Sequence, residues 1–233
     1  MSIGLTYSRK LSEKFGLGIG LKYLRSDLAN GLGATVGGDD LKAANMIAAD
    51  IGLYNKSQVY LGGREFDMSI GASISNIGGK VTYSSSENRA FIPTNLKLGT
   101  FLQTEIDEHN KFGFGLDFNK LLVPTPDTTD ESVQDQSVMS GMFSSFADAP
   151  DGFSEELQEI TVSFGVEYLY QDMFAVRAGY FHESEDKGNR KNITAGVGLK
   201  YEGFGLDVAY LIPTQQNSPL ANTVRFSLMY LIP

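Results

Sequence analysis

Residues Lys111–Lys120 read KFGFGLDFNK, and the alternation in this stretch decides the fold. Phe112, Phe114, Leu116 and Phe118 occupy one parity, while Gly113, Gly115, Asp117 and Asn119 occupy the other. Successive side chains of a strand point to opposite faces, so this segment has one greasy face and one small or polar face. A half-buried soluble sheet would also alternate in this way. Working outward from Lys111, however, the same period recurs in about eleven segments between Ile3 and Ile232, with almost no helix-period stretch to cover them. That pattern predicts an all-β, antiparallel transmembrane β-barrel.

The predicted strands are Ser2–Arg9, Lys14–Arg25, Ala44–Asn55, Glu65–Ile77, Thr94–Thr104, Lys111–Leu121, Glu159–Tyr170, Phe174–Glu183, Lys191–Tyr201, Phe204–Ile212 and Thr223–Ile232. Their connections alternate in length: short at Leu11, Asp107, Asp172 and Glu202, moderate around Ser57, and long from Ser26, Gly78 and Leu122. Outer-membrane barrels have this asymmetry, with tight periplasmic turns and long extracellular loops. Residues 1–233 read as a single barrel domain, within which 122–158 form a long extracellular loop. With the C-terminus periplasmic, the first strand starts on the outside. An even strand number then calls for one or three further strands, giving about twelve or fourteen. The reading is of an N-terminally incomplete barrel, because two open edges in lipid would leave backbone groups unpaired. The lack of a basic and apolar leader before Ile3 points the same way.

Composition fits this reading. The chain has 26 glycines, 11% aromatic residues and a mean hydropathy of −0.14. That hydropathy excludes a bundle of membrane helices but not a barrel, in which only every second residue meets lipid. There is no cysteine, hence no disulfide framework, thiolate zinc site or thiol nucleophile. A net charge of −9 argues against non-specific nucleic-acid binding, with acids crowded into Asp127–Asp135 and Asp148–Glu159.

Alternation also sorts the charges. Lys22, Asp50, Asp67, Lys97, Asp117, Glu167, Arg177, Lys200, Asp207 and Arg225 fall on the inward parity. Five of each sign predict compensating pairs and a salt-bridged or partly plugged lumen rather than a single-sign ion filter. The outward parity carries Phe15, Leu17, Ile19, Leu21 and Tyr23 on one strand, and Ile160, Val162, Phe164, Val166, Tyr168 and Tyr170 on another. Tyrosines near strand ends suit an interfacial girdle.

No motif points to catalysis or a cofactor. Gly16, Gly18 and Gly20 alternate within a strand, whereas a dinucleotide fingerprint needs a strand-to-helix turn. His109 and His182 have no serine or carboxylate at triad spacing. His182, Glu183, Glu185 and Asp186 form a polar cluster that could meet a cation, but the EF-hand pattern is absent. A solvated loop is the simpler reading.

Ser137–Ala147 breaks the period-two rule. Val138, Met142, Phe143 and Phe146 recur at near-helical spacing, although Gly141 weakens the pattern. The prediction is a short amphipathic helix in a long loop that packs on the barrel, enters the outer leaflet or meets another protein. Partner contact is expected at Leu28, Leu41, Val138, Met142, Phe143, Phe146 and Phe153.

SISNIG (Ser73–Gly78), FIPTNLKLG (Phe91–Gly99), FSSFADAPDGFSEEL (Phe143–Leu157), FAVRAGYFHESEDKGNR (Phe174–Arg190) and NSPLANTVRFSL (Asn217–Leu228) resemble the C-terminal part of the PorV (LptO) family. These are FadL-like outer-membrane proteins of the Bacteroidetes type IX secretion system. The resemblance implies a barrel of about fourteen strands. It also implies a non-enzymatic role, without a cofactor. Such a protein receives substrates bearing a C-terminal signal domain from the SprA (Sov) translocon and passes them to the PorU attachment machinery. The competing reading is a FadL-like transporter of hydrophobic small molecules, which a shared fold would permit. An inward face rich in Gly, Ser, Thr and charge counts against that. An outer-membrane enzyme lacks a constellation, and a soluble β-sandwich is the remaining fold alternative.

Overall fold

The computed structural model describes residues 1–27, 35–36, 39–40, 42–83, 89–125, 135–215 and 223–231. Leu28 and Leu41, expected at a partner surface, lie outside them. Eleven strands form one antiparallel sheet: β1 (Ser2–Lys10), β2 (Phe15–Ser26), β5 (Ala44–Leu61), β6 (Arg64–Gly78), β7 (Asn95–Asp107), β8 (Asn110–Leu121), β9 (Thr161–Tyr170), β10 (Phe174–His182), β11 (Lys191–Tyr201), β12 (Phe204–Pro213) and β13 (Thr223–Tyr230). Their order in the sheet follows the chain, and β3 (Thr35–Val36) pairs with β4 (Asp39–Asp40) in a separate ribbon. No helix among the described residues is long and apolar enough to cross a membrane, a test that says nothing about strands.

Three of the short connections turn through two consecutive residues of positive φ, among them Gln171 and Asp172 at 51° and 56° between β9 and β10. Gly62 and Gly63 at φ 60° and 80° join β5 to β6, and Glu202 and Gly203 at 45° and 86° join β11 to β12. Two consecutive positive φ values match the right-handed twist of the flanking strands. The β5–β6 hairpin corrects the expected moderate loop around Ser57. Apolar side chains thin out through Asn55-Lys56-Ser57-Gln58, but backbone pairing continues there regardless of side-chain polarity, and Lys56 meets Asp67 at 3.2 Å.

Contacts separate into two compact units, Met1–Tyr54 with Ala72–Lys97 and Lys120–Leu157, and Asn55–Gly71 with Leu98–Asn119 and Gln158–Pro233. In the second unit the register lines up faces across six strands. Phe114, Val166, Ala178, Ala195, Tyr210 and Val224 form one cross-strand row. One residue along, the row is Gly113, Glu167, Arg177, Gly196, Ala209 and Arg225. The apolar face is uncovered: Phe164, Val197, Leu206 and Phe226 are all exposed, Leu228 at 79%.

Among the described residues, buried hydrophobic side chains are few and mostly small. In the first unit Ala44, Ala48, Val81 and Ile92 cluster, with Leu24, Met46 and Tyr83 against them. Ala44 and Ala48 share the parity of Asp50, so the connection after β6 folds over the polar face of β5. The polar side is thus the packed one here, and the apolar side lies open.

Candidate functional site

The site in the first unit starts from Asp50 on β5. Its carboxylate accepts from Lys22 Nζ at 2.9 Å and from the Asn76 amide at 2.8 Å. Asn76 sits at φ 61°, a conformation that Asn tolerates better than most residues. Its side chain donates to the Pro93 carbonyl at 2.9 Å, and its own carbonyl accepts from Thr94 Oγ1 at 2.8 Å. Gly78 supplies the close approach: a Cβ there would lie 2.7 Å from Ile92 Cδ1. SISNIG and FIPTNLKLG therefore meet in space, each completing the backbone hydrogen bonding of the other.

The chain of contacts continues outward from Phe91. Lys80 Nζ lies 4.3 Å above the Phe91 ring, and a Cβ on Gly141 would fall 2.9 Å from both Phe91 and Pro124. Gly141 belongs to α1 (Val138–Ser144), capped by Ser137 Oγ, which accepts from the Ser140 amide at 3.1 Å. The glycine that weakens the helix by propensity is what lets the helix dock. Gly141, Met142 and Ser145 face inward, while Met139, Phe143 and Phe146, at i, i+4 and i+7, face solvent. Phe143 is 71% exposed. Val138 is half-buried and Met142 buried, so at α1 the outward contacts fall to Met139, Phe143 and Phe146.

A second helix, α2 (Phe153–Gln158), is pinned from below. Lys120 and Glu156 form an ion pair at 2.9 Å with both side chains 8% exposed. Glu156 also accepts the Asp148 and Ala149 amides, each at 2.9 Å, and Asp148 in turn accepts the Thr125 amide at 2.9 Å. Burial pushes the Glu156 carboxyl up, but Lys120 and the two amides outweigh it and hold it below the ordinary Glu range. Phe153 at 77% and Leu157 remain exposed on α2. Sequence reading did not foresee the Lys120–Glu156 pair, because a lysine ending a strand and a glutamate 36 residues on carry no spacing signal.

In the second unit Arg177 on β10 joins Glu167 on the neighbouring β9 at 2.5 Å and reaches across β11 to Asp207 on β12. Glycine makes the room: a Cβ on Gly198 would lie 2.8 Å from Arg177 Nη1. A cavity of about 470 Å³ opens on this face beside Phe101, Gly115 and Asp117, and one of about 350 Å³ beside Leu169 and Met229. Phe101 departs from the expected polar lining, lying on the polar parity over Gly113 and Gly115. Asp67 pairs with Lys56, outside the predicted set. Asp117 packs against the backbone of Gly99, and Lys97, Lys200 and Arg225 are exposed.

The His182–Asp186 cluster is a closed loop. Glu183 is buried and accepts Arg190 Nε at 2.7 Å, Nη2 at 2.5 Å and the Arg190 amide at 3.1 Å. Those Arg190 bonds hold the Glu183 carboxyl below its ordinary value, against burial. Glu185 is taken by Lys191 at 2.8 Å. Two of the three carboxylates that could have met a cation are committed to basic partners.

No curated protein matches the chain. SISNIG, FIPTNLKLG and the strands that join them nevertheless fall inside a stretch, residues 1–128, that matches the family described as Type IX secretion system protein PorV, and the chain belongs to that family.

Proposed function

We propose that this chain is a non-enzymatic outer-membrane component of the type IX secretion system. It receives secreted substrates bearing a C-terminal signal domain from the SprA (Sov) translocon and passes them to the PorU attachment complex. The strands form a FadL-like transmembrane barrel, with the apolar parity in lipid and the charged parity in the lumen. Its long loops are extracellular and its C-terminus periplasmic. An uncovered sheet face of Phe, Val, Leu and Tyr is stable only against another apolar phase, which lipid supplies.

The observation that carries the docking role is the pinned loop. Met139, Phe143, Phe146 and Phe153 are held outward by helices whose inner faces are locked by Phe91, Pro124 and Lys120. An apolar surface held in one conformation costs little ordering entropy on binding. The paired charges around Arg177 argue against an apolar path for small hydrophobic molecules.

A mild-detergent pull-down of the tagged protein from its native outer membrane tests the reading. Recovery of the large translocon, or of cargo sharing a C-terminal domain, is expected. Ser at Phe143 and Phe146 should weaken that recovery without unfolding the sheet. Recovery of the barrel alone with a bound hydrophobic small molecule would favour the transporter and overturn the proposal.

A further inference from the structure

We propose that the exposed aromatic stripe of residues 139–157 docks a protein segment in which Lys or Arg flanks an aliphatic or aromatic anchor. The inference rests on the docking role above and specifies the chemistry of the partner. Two observations carry it. The first is geometric: Met139 and Phe143 on α1 and Phe146, just past its C-cap, form one stripe, and Phe153 and Leu157, four residues apart, form another on α2. Both are held by their opposite faces, so neither stripe can turn inward without breaking the Gly141 contacts or the buried Lys120–Glu156 pair.

The second is electrostatic. Residues 122–158 contain eight Asp or Glu and no Lys or Arg, so this one loop carries a charge close to the net −9 of the whole chain. Glu156 is neutralised by Lys120, while Asp151 and Glu155 stand two residues on either side of the exposed Phe153. Lys120 Nζ lies 5.9 Å from the Phe146 ring but is paired with Glu156, so the loop is net acidic, and an apolar patch in a net acidic field discriminates. It attracts segments whose anchor is flanked by cations and repels acidic ones, and it gains further from a cation over a ring face. The same field works against an anionic lipid surface, because the charges that attract a basic segment repel acidic headgroups.

The test uses the full chain in nanodiscs of phosphatidylcholine and three fluorescent peptides of equal length, alternating Lys/Leu, Glu/Leu and Lys/Ser. Anisotropy should report binding of the Lys/Leu peptide alone. That binding should weaken as salt rises from about 50 to about 500 mM, as screening requires. The exposed double variant Phe143→Ser/Phe146→Ser should lose about tenfold in affinity, and Asp151→Asn/Glu155→Gln should flatten the salt dependence. Equal binding of the Glu/Leu peptide, equal binding to empty nanodiscs, or an unchanged double variant would overturn the proposal. Failure here with the translocon still recovered in the pull-down removes the cationic partner and leaves the secretion role standing. Failure of both removes the docking role itself.

Discussion

At the scale of single residues, glycine placement decides what the polar face can hold. Gly113 and Gly115 lie under the Phe101 ring, and any side chain at 113 would collide with it. Gly113→Ala should therefore destabilise the sheet by about 1–3 kcal/mol, as overpacking does. Combined with Phe101→Ala, most of that cost should vanish, a coupling that a double-mutant cycle on heat or urea unfolding reads directly. The alternation in KFGFGLDFNK places these glycines on the small or polar face, yet Phe101 sits 12 residues from Gly113 and only strand register brings them together. Glu183 makes a pH prediction. Its folded-state carboxyl is held low by Arg190, so the stabilisation is present above the unfolded value and lost as pH falls through the folded one. Protection against hydrogen exchange in residues 183–190, the rate taken relative to the intrinsic amide rate at each pH, should be flat between pH 7 and 5 and fall only below the ordinary Glu value of 4.5. In Glu183→Gln the loop should exchange faster at neutral pH and lose that acid step.

At the scale of elements, strands were more legible than the loops they carry. Period-two alternation marks a strand whatever it pairs with, and the observed β1, β2, β8, β10, β11 and β12 begin and end within a residue of the expected bounds. β5 runs longer than expected because the polar run Asn55–Gln58 interrupts its apolar alternation before Val59, Tyr60 and Leu61, and only the Gly62–Gly63 turn marks its end. In the loop, the near-helical spacing of Val138, Met142, Phe143 and Phe146 foretold α1, but spacing alone could not say which of them turned inward. Gly141 settles that by allowing contact with Phe91 and Pro124, which sends Met142 in and Phe143 out. The Lys120–Glu156 pair is the element's fastening. Breaking a buried ion pair by removing one partner leaves an uncompensated charge and costs about 3 kcal/mol. Lys120→Ala should raise chymotrypsin cleavage around Phe143 and Phe146 by about a hundredfold where cleavage follows local opening. The strands should stay protected. Global unfolding of Lys120→Ala at the same protease concentration would mean that the pair supports the sheet rather than the loop.

At the scale of the whole molecule, the two faces of the sheet are the link between sequence and function. The family match over residues 1–128 contains SISNIG and FIPTNLKLG, and these two blocks are joined through Asn76, Pro93 and Thr94 beneath the loop that bears the aromatic stripe. The other three resembling blocks lie beyond the matched residues, two of them carrying the α1–α2 loop and the Glu183–Arg190 closure. If the apolar parity faces lipid, every second residue of a strand should report an apolar environment. The chain contains no cysteine, so single cysteines can be introduced without background. Nitroxide labels placed in turn at Phe164, Gly165, Val166, Val197, Leu199 and Lys200 of the protein in its native membrane would measure collision with oxygen and with a water-soluble nickel chelate. The account predicts high oxygen and low nickel accessibility at Phe164, Val166, Val197 and Leu199, with the opposite at Gly165 and Lys200. Equal nickel accessibility on both parities would contradict it, because the apolar face would then lie in water and the strands would not span a membrane.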